Sequence, residues 1–170
     1  MKTTIKLVLV ITAVALCSNI SAQNLKLAHI NIQELVGAMP EYDSATVKLQ
    51  KYAKDLESDL DAIRLELNRK YEDYNKNSAG LTDIVLQSRQ QELVAMQQRV
   101  AAFQEQAQES YSTENEKLMQ PVIEKANKAI ETVAKEQGVT YVLNAQVLHF
   151  KAVGTLDLLP AVKQHLGIKN

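Results

Sequence analysis

From Ala45 onward the apolar positions fall at Ala45, Leu49, Tyr52, Leu56, Leu60, Ile63, Leu67, Tyr71 and Tyr74, eight steps of three or four that cover 29 residues. The mean step, about 3.6 residues, is the period of an α-helix and excludes the two-residue alternation of a strand. It leans toward an 11-residue rather than a seven-residue repeat, so this helix is expected to be straight or only weakly supercoiled. On its polar faces Glu66 with Lys70, Arg69 with Asp73 and Glu72 with Lys76 stand four apart, the spacing of intrahelical ion pairs. Turn-forming residues then cluster from Asn75 to Asp83, with Gly80 among them and Thr82 or Asp83 placed to cap a following helix. A second seam runs through Leu86, Leu93, Met96, Val100, Phe103, Ala107, Tyr111, Leu118, Val122, Ala126, Ala129 or Ile130, and Val133. Two helices of roughly 50 and 80 Å joined by a short turn predict an antiparallel hairpin. With the turn near residue 80, Pro40 and Pro121 stand opposite each other, and both are read as the joint between arm and head. Pro121 removes one backbone donor and is a candidate kink, and Gly80 is a second candidate flexible point.

The flanks follow a different pattern. Residues 25–30 (LKLAHI) predict a strand, and Asn31 can cap a short helix over 32–38 ahead of Pro40. Gly138 is placed to end the second long helix, after which residues 139–143 and 147–153 predict two further strands around Asn144-Ala145-Gln146. Asp157 can cap a last helix reaching Leu166, with Pro160 in its first turn and Gly167 after its end. The fold class expected is mainly α with a small β part, a long coiled-coil hairpin carried by a β-strand head. Three strands and so few residues enclose little core, and open strand edges invite pairing with another copy, so an oligomer is expected.

The N-terminus is read as a cleaved signal peptide, residues 1–22. Lys2 and Lys6 precede an apolar run over 7–16, and Ile20-Ser21-Ala22 ends in a small residue suited to the peptidase. The apolar run is about half the length needed to span a bilayer. Leu16 before Cys17 argues against a lipoprotein signal. The remaining divisions expected are a head from 23–40 and 122–170 and an arm from 41–121. Composition supports this picture: 46% of residues are apolar but only 5% aromatic, with no Trp, 5 Gly and 3 Pro, unlike a turn-rich all-β chain. A net charge of −1, becoming −3 without Lys2 and Lys6, does not suit nucleic-acid binding, and one Cys excludes an internal disulfide framework.

The segment Pro121-Val122-Ile123-Glu124-Lys125-Ala126-Asn127-Lys128-Ala129-Ile130, continuing to Gly138, with Thr140-Tyr141-Val142-Leu143-Asn144 and Asp157 after it, resembles the Skp (OmpH-like) family of periplasmic chaperones. So does the stretch from Ile30 through Leu35 to Met39-Pro40-Glu41-Tyr42. The likeness spans the mature chain, although the arms alone would fit many coiled coils. It implies a homotrimer in the periplasm of a Gram-negative bacterium, its strands forming a small barrel. Three helical arms would enclose a cavity that holds unfolded outer-membrane proteins without ATP, with assembly machinery of the outer membrane as a further partner. Two departures stand out. Family members are often basic at the arm tip, whereas here Arg69, Lys70, Lys76 and Arg89 are set against Glu72, Asp73 and Asp83, which argues against lipid-headgroup contact. Asn144 occupies a position where the family usually has Asp.

Candidate client contacts are the apolar residues that a hairpin end cannot bury together, Tyr71, Tyr74, Leu81, Ile84 and Val85. Leu27, Ile30, Val142, Leu148 and Phe150 are candidates for the head core and, through the resemblance, the trimer interface. Leu56, Leu60, Ile63, Leu67, Met96, Val100 and Phe103 are assigned to holding the hairpin together. His29, His149 and His165 come from separate segments with no ligand partner at helical spacing, so no metal is expected, and no nucleophile set or phosphate loop suggests catalysis or a cofactor. The competing reading is a periplasmic coiled-coil adaptor that docks on an envelope complex through its hairpin tip.

Overall fold

The computed structural model describes residues 25–168, so the expected signal peptide lies outside the described residues. In order, the elements are β1 (Leu27–Ile30), α1 (Ile32–Gly37), α2 (Pro40–Asn77), α3 (Asp83–Glu136), β2 (Tyr141–Asn144), β3 (Leu156–Asp157) and α4 (Leu159–His165), with short 3₁₀ turns at Ser78–Gly80 and Ala145–Val147. They form two compact units, Ile32–Lys128 and a second made of the chain up to Asn31 and from Ala129 onward.

The first unit is the antiparallel hairpin of α2 and α3 with α1 ahead of it. Pro40 at the start of α2 is tolerated because that position has no intrahelical donor to lose. The reversal uses the 3₁₀ turn, and Leu81 returns its N–H to the Ser78 carbonyl at 3.2 Å. α3 runs 54 residues without interruption and carries Pro121 inside it, so the missing amide deletes one rung of the ladder without ending the helix. Leu35, Met39, Ala45, Leu49, Leu93, Met96, Val122 and Ala126 are buried. From Tyr52 to Tyr74 the α2 seam contributes no fully buried residue, as expected where two helices alone share a stripe: Leu56, Leu60, Ile63 and Leu67 are half-buried, as are Val100 and Phe103 on α3.

Charge pairing in the hairpin differs from the expected intrahelical pattern. Of the three expected pairs, Glu72 with Lys76 forms within α2, at 3.5 Å. Lys70 pairs instead with Glu92 across the hairpin, Asp73 with Arg89 at 3.2 Å, and Glu66 with Arg99 at 3.6 Å. The apolar seam brings these cross-hairpin partners within reach, and they replace two of the three same-helix pairs.

The second unit holds a three-stranded parallel sheet in the order β2-β1-β3. Leu27 stands opposite Tyr141 and His29 opposite Leu143 on one side of β1, while Ala28 meets Leu156 and His29 meets Asp157 on the other. Ala28, Ile30, Ile130, Val133, Ala134, Leu158, Leu159 and Val162 make the core of this unit. Gly138 ends α3 with φ +64°, its N–H bonded to the Lys135 carbonyl and that of Val139 to the Ala134 carbonyl at 2.9 Å, which completes a Schellman cap. Thr140 then exchanges hydrogen bonds with Lys26, which aligns β2 beside β1.

The expected strand over 147–153 is absent. Asn144 Oδ1 accepts the Gln146 N–H at 3.1 Å and turns the chain into the 3₁₀ segment at Ala145–Val147, so the β-prone run that follows has no partner strand. The third strand is the two-residue β3, placed by β1 rather than by its own alternation. Asp157 does serve the last helix, its Oδ1 accepting the Leu159 N–H at 2.9 Å.

Candidate functional site

Around the hairpin turn, Ile84 is 81% exposed and Val85 is also exposed, while Leu81 is half-buried. Tyr71 and Tyr74 are held differently, because each hydroxyl accepts a hydrogen bond across the hairpin, from Gln97 and from Gln90 (2.8 Å) respectively. The turn region therefore offers two free aliphatic side chains and two tethered tyrosines. Its charges are largely paired with one another: Lys70 holds the Glu92 carboxyl below the usual carboxylate range through a hydrogen bond and through its charge.

In the unit that carries the sheet, the expected core residues divide. Ile30 is buried, and Val142 and Leu148 are half-buried, whereas Leu27 is exposed and Phe150 is 83% exposed. Tyr141, Leu143, Val147 and Val153 are exposed as well. Leu27, Tyr141 and Leu143 share one face of the sheet, because register partners point to the same side and alternate residues repeat it. Local alternation could not reveal this cluster, since it depends on which residues β1 brings into register. His29 shares that face but is buried, its Nδ1 without a hydrogen-bond partner and 3.9 Å from Asp157 Oδ1. His149 and His165 are exposed, and among the described residues no three metal-ligating side chains cluster.

Pro40 and Pro121 line a common recess of about 480 Å³, formed between the start of α2 and the stretch of α3 from Lys117 to Lys125. Its floor includes Ala45, Leu118 and Val122, and its rim carries Glu41, Lys48, Lys117 and Lys125. Glu41 bonds Lys125 through Oε1, and its Oε2 is buried without a hydrogen-bond partner. That bond from Lys125, helped by the residue's own backbone N–H, lowers the Glu41 pKa. Lys117 pairs with Glu114 at 2.9 Å, and Lys48 has no ion-pair partner among the described residues. The facing of the two prolines follows from the hairpin spacing, whereas the ionic rim joins residues some 70 to 80 positions apart in the chain and has no local sequence signal.

The model of the family described as Outer membrane protein (OmpH-like) matches residues 26–166. The chain belongs to this OmpH-like family. A crystal structure described as that of a candidate outer membrane chaperone (OmpH-like) from Caulobacter crescentus CB15 is similar over 83% of each chain, with a TM-score of 0.73 and 15% sequence identity. At that identity the likeness is one of fold: mainly helical, with long helices and a small sheet. No curated protein matches the chain. Among the described residues no helix is long and apolar enough to cross a membrane.

Proposed function

We propose that this protein is an ATP-independent holdase of the periplasm, exported by its N-terminal signal, that binds unfolded outer-membrane proteins and prevents their aggregation. The observation that carries the proposal is membership of the OmpH-like family across residues 26–166. The working form is a homotrimer assembled through the sheet-bearing unit. Supporting this, Leu27, Tyr141, Leu143, Val147, Phe150 and Val153 are exposed in a unit with few core residues, and β2 and β3 leave open edges. Unfolded barrel proteins aggregate through apolar strands, and many weak contacts along the hairpins of three copies would shield those strands without a tight site. Ile84 and Val85 are the turn-region residues proposed to touch client first, with Leu81, Tyr71 and Tyr74 beside them. The test is light scattering from a urea-unfolded outer-membrane protein diluted into buffer with the purified mature chain and no nucleotide. Aggregation should fall to near background at one trimer per client, and unchanged aggregation at excess trimer would refute the proposal.

A further inference from the structure

We infer that neighbouring copies of this chain touch along their hairpins, the outer face of α2 near its start in one copy seated against the outer face of α3 in the next. The inference rests on the homotrimer reading and adds to it a contact outside the sheet-bearing unit. In α2 the seam residues Ala45 and Leu49 are buried, whereas Val47, 65% exposed, and the exposed Lys51 and Lys54 project from the opposite side of the same turns. In α3 Leu118 and Val122 lie on the seam, and the exposed Ile123, Glu116 and Glu109 project away from it.

The two outer faces carry opposite charge. Lys51 and Lys54 have no ion-pair partner among the described residues, and neither have Glu109 and Glu116. Elsewhere in the hairpin the charges are engaged within the chain, as in Glu41 with Lys125, Glu66 with Arg99 and Asp73 with Arg89. From Val100 to Glu116 α3 carries four carboxylates and no basic residue, so a cation for this face has to come from another molecule. The faces also match in level. The cross-hairpin pairs Glu41 with Lys125 and Glu66 with Arg99 fix which residues of the two helices stand side by side. Interpolated between them, Val47 is level with Met119, Lys51 lies about 2 Å along the axis from Glu116, and Lys54 about 4 Å from Glu109. Copies related by rotation about an axis along the hairpin keep these levels, which sets Lys51 against Glu116 and Lys54 against Glu109 of the next copy. Val47 then meets a shallow groove of about 420 Å³ lined by Met119, Gln120 and Ile123. An unfolded client has no fixed order of charges to match, whereas a second copy has this one. The outer faces of α2 and α3 lie on opposite sides of the hairpin, so every copy offers one and receives the other, a head-to-tail contact that closes as a ring in the trimer.

The experiment is disulfide cross-linking of the mature chain, which lacks Cys17, the one cysteine of the sequence. After mild oxidation Lys51→Cys/Glu116→Cys should give covalent dimers and trimers on a denaturing gel and nothing larger. The two positions lie on opposite sides of one hairpin and cannot join within a chain. Lys51→Cys alone and Glu116→Cys alone should remain single chains, because a head-to-tail contact never brings a residue to its own counterpart. A second measurement reads the charges. Lys51→Glu/Lys54→Glu should raise the concentration at which the trimer dissociates by about tenfold, and adding Glu109→Lys/Glu116→Lys to the same chain should restore it. All four positions are exposed, so helical circular dichroism should be unchanged. Cross-linking of the single variants as strong as that of the double, a ladder beyond three copies, or no rescue by the reciprocal reversal would each overturn the inference. The mass of the reduced double variant separates the two levels. A trimer that yields no cross-links loses this contact alone and leaves both faces to client, whereas a monomer loses the homotrimer reading with it.

Discussion

Gly138 sits at φ +64°, a conformation that an L side chain adopts only at a cost, although open space surrounds the position where a Cβ would lie. Gly138→Ala should therefore destabilise the protein by about 1 to 2 kcal/mol through backbone strain alone, read as a lowered urea midpoint with an unchanged slope. Glu41 gives a pH-dependent counterpart. Its folded-state pKa lies below the ordinary value of 4.5, so the Lys125 pair adds stability above that value and loses it as pH falls through the lower, folded-state pKa. Because both side chains are nearly half exposed, the contribution at neutral pH is under about 1 kcal/mol. The stability difference between wild type and Glu41→Gln, measured by urea unfolding, should be present at pH 7 and shrink as pH falls below 4.5. A difference that grew on acidification would contradict the assigned sign.

At the scale of elements, the long helices were legible because a 3.6-residue period sustained over dozens of positions admits one reading, and Gly138 ends α3 as its position suggested, whereas the N-cap of the last helix is Leu158 and Asp157, one residue earlier, accepts the Leu159 N–H. The small sheet was only partly legible. Val147-Leu148-His149-Phe150 is rich in strand formers, yet a strand exists only where a neighbour accepts its hydrogen bonds, and the neighbour of β1 on the side away from β2 is Leu156–Asp157. The exposed apolar cluster and the ionic rim at Glu41 and Lys125 depend on pairings far apart in sequence, which local spacing does not encode. Burial along the hairpin carries its own consequence. α2 buries Ala45 and Leu49 near its start but only half-buries its seam from Leu56 to Leu67. Hydrogen-exchange protection in α2 should therefore be highest over its first three turns and decline toward Gly80. Uniform protection along α2 would show that something beyond the α3 seam, such as a neighbouring copy, covers its later turns.

For the whole molecule, the proposed assembly explains a feature that a monomer leaves unexplained. A unit of modest size exposes Phe150 and Val153 almost completely and sets Leu27, Tyr141 and Leu143 on one sheet face. In three copies those side chains would exchange water for one another, and burying a large apolar side chain contributes about 1.5 to 3 kcal/mol. The hairpin would then supply the weak client contacts while the sheet-bearing unit supplies the lasting ones. The most direct test is the solution mass of the mature chain by multi-angle light scattering, with and without a urea-unfolded outer-membrane protein. Three copies of the chain are expected alone and, after addition, a soluble species heavier by one client. A monomer or dimer, or a trimer whose mass does not change while the client precipitates, would contradict it.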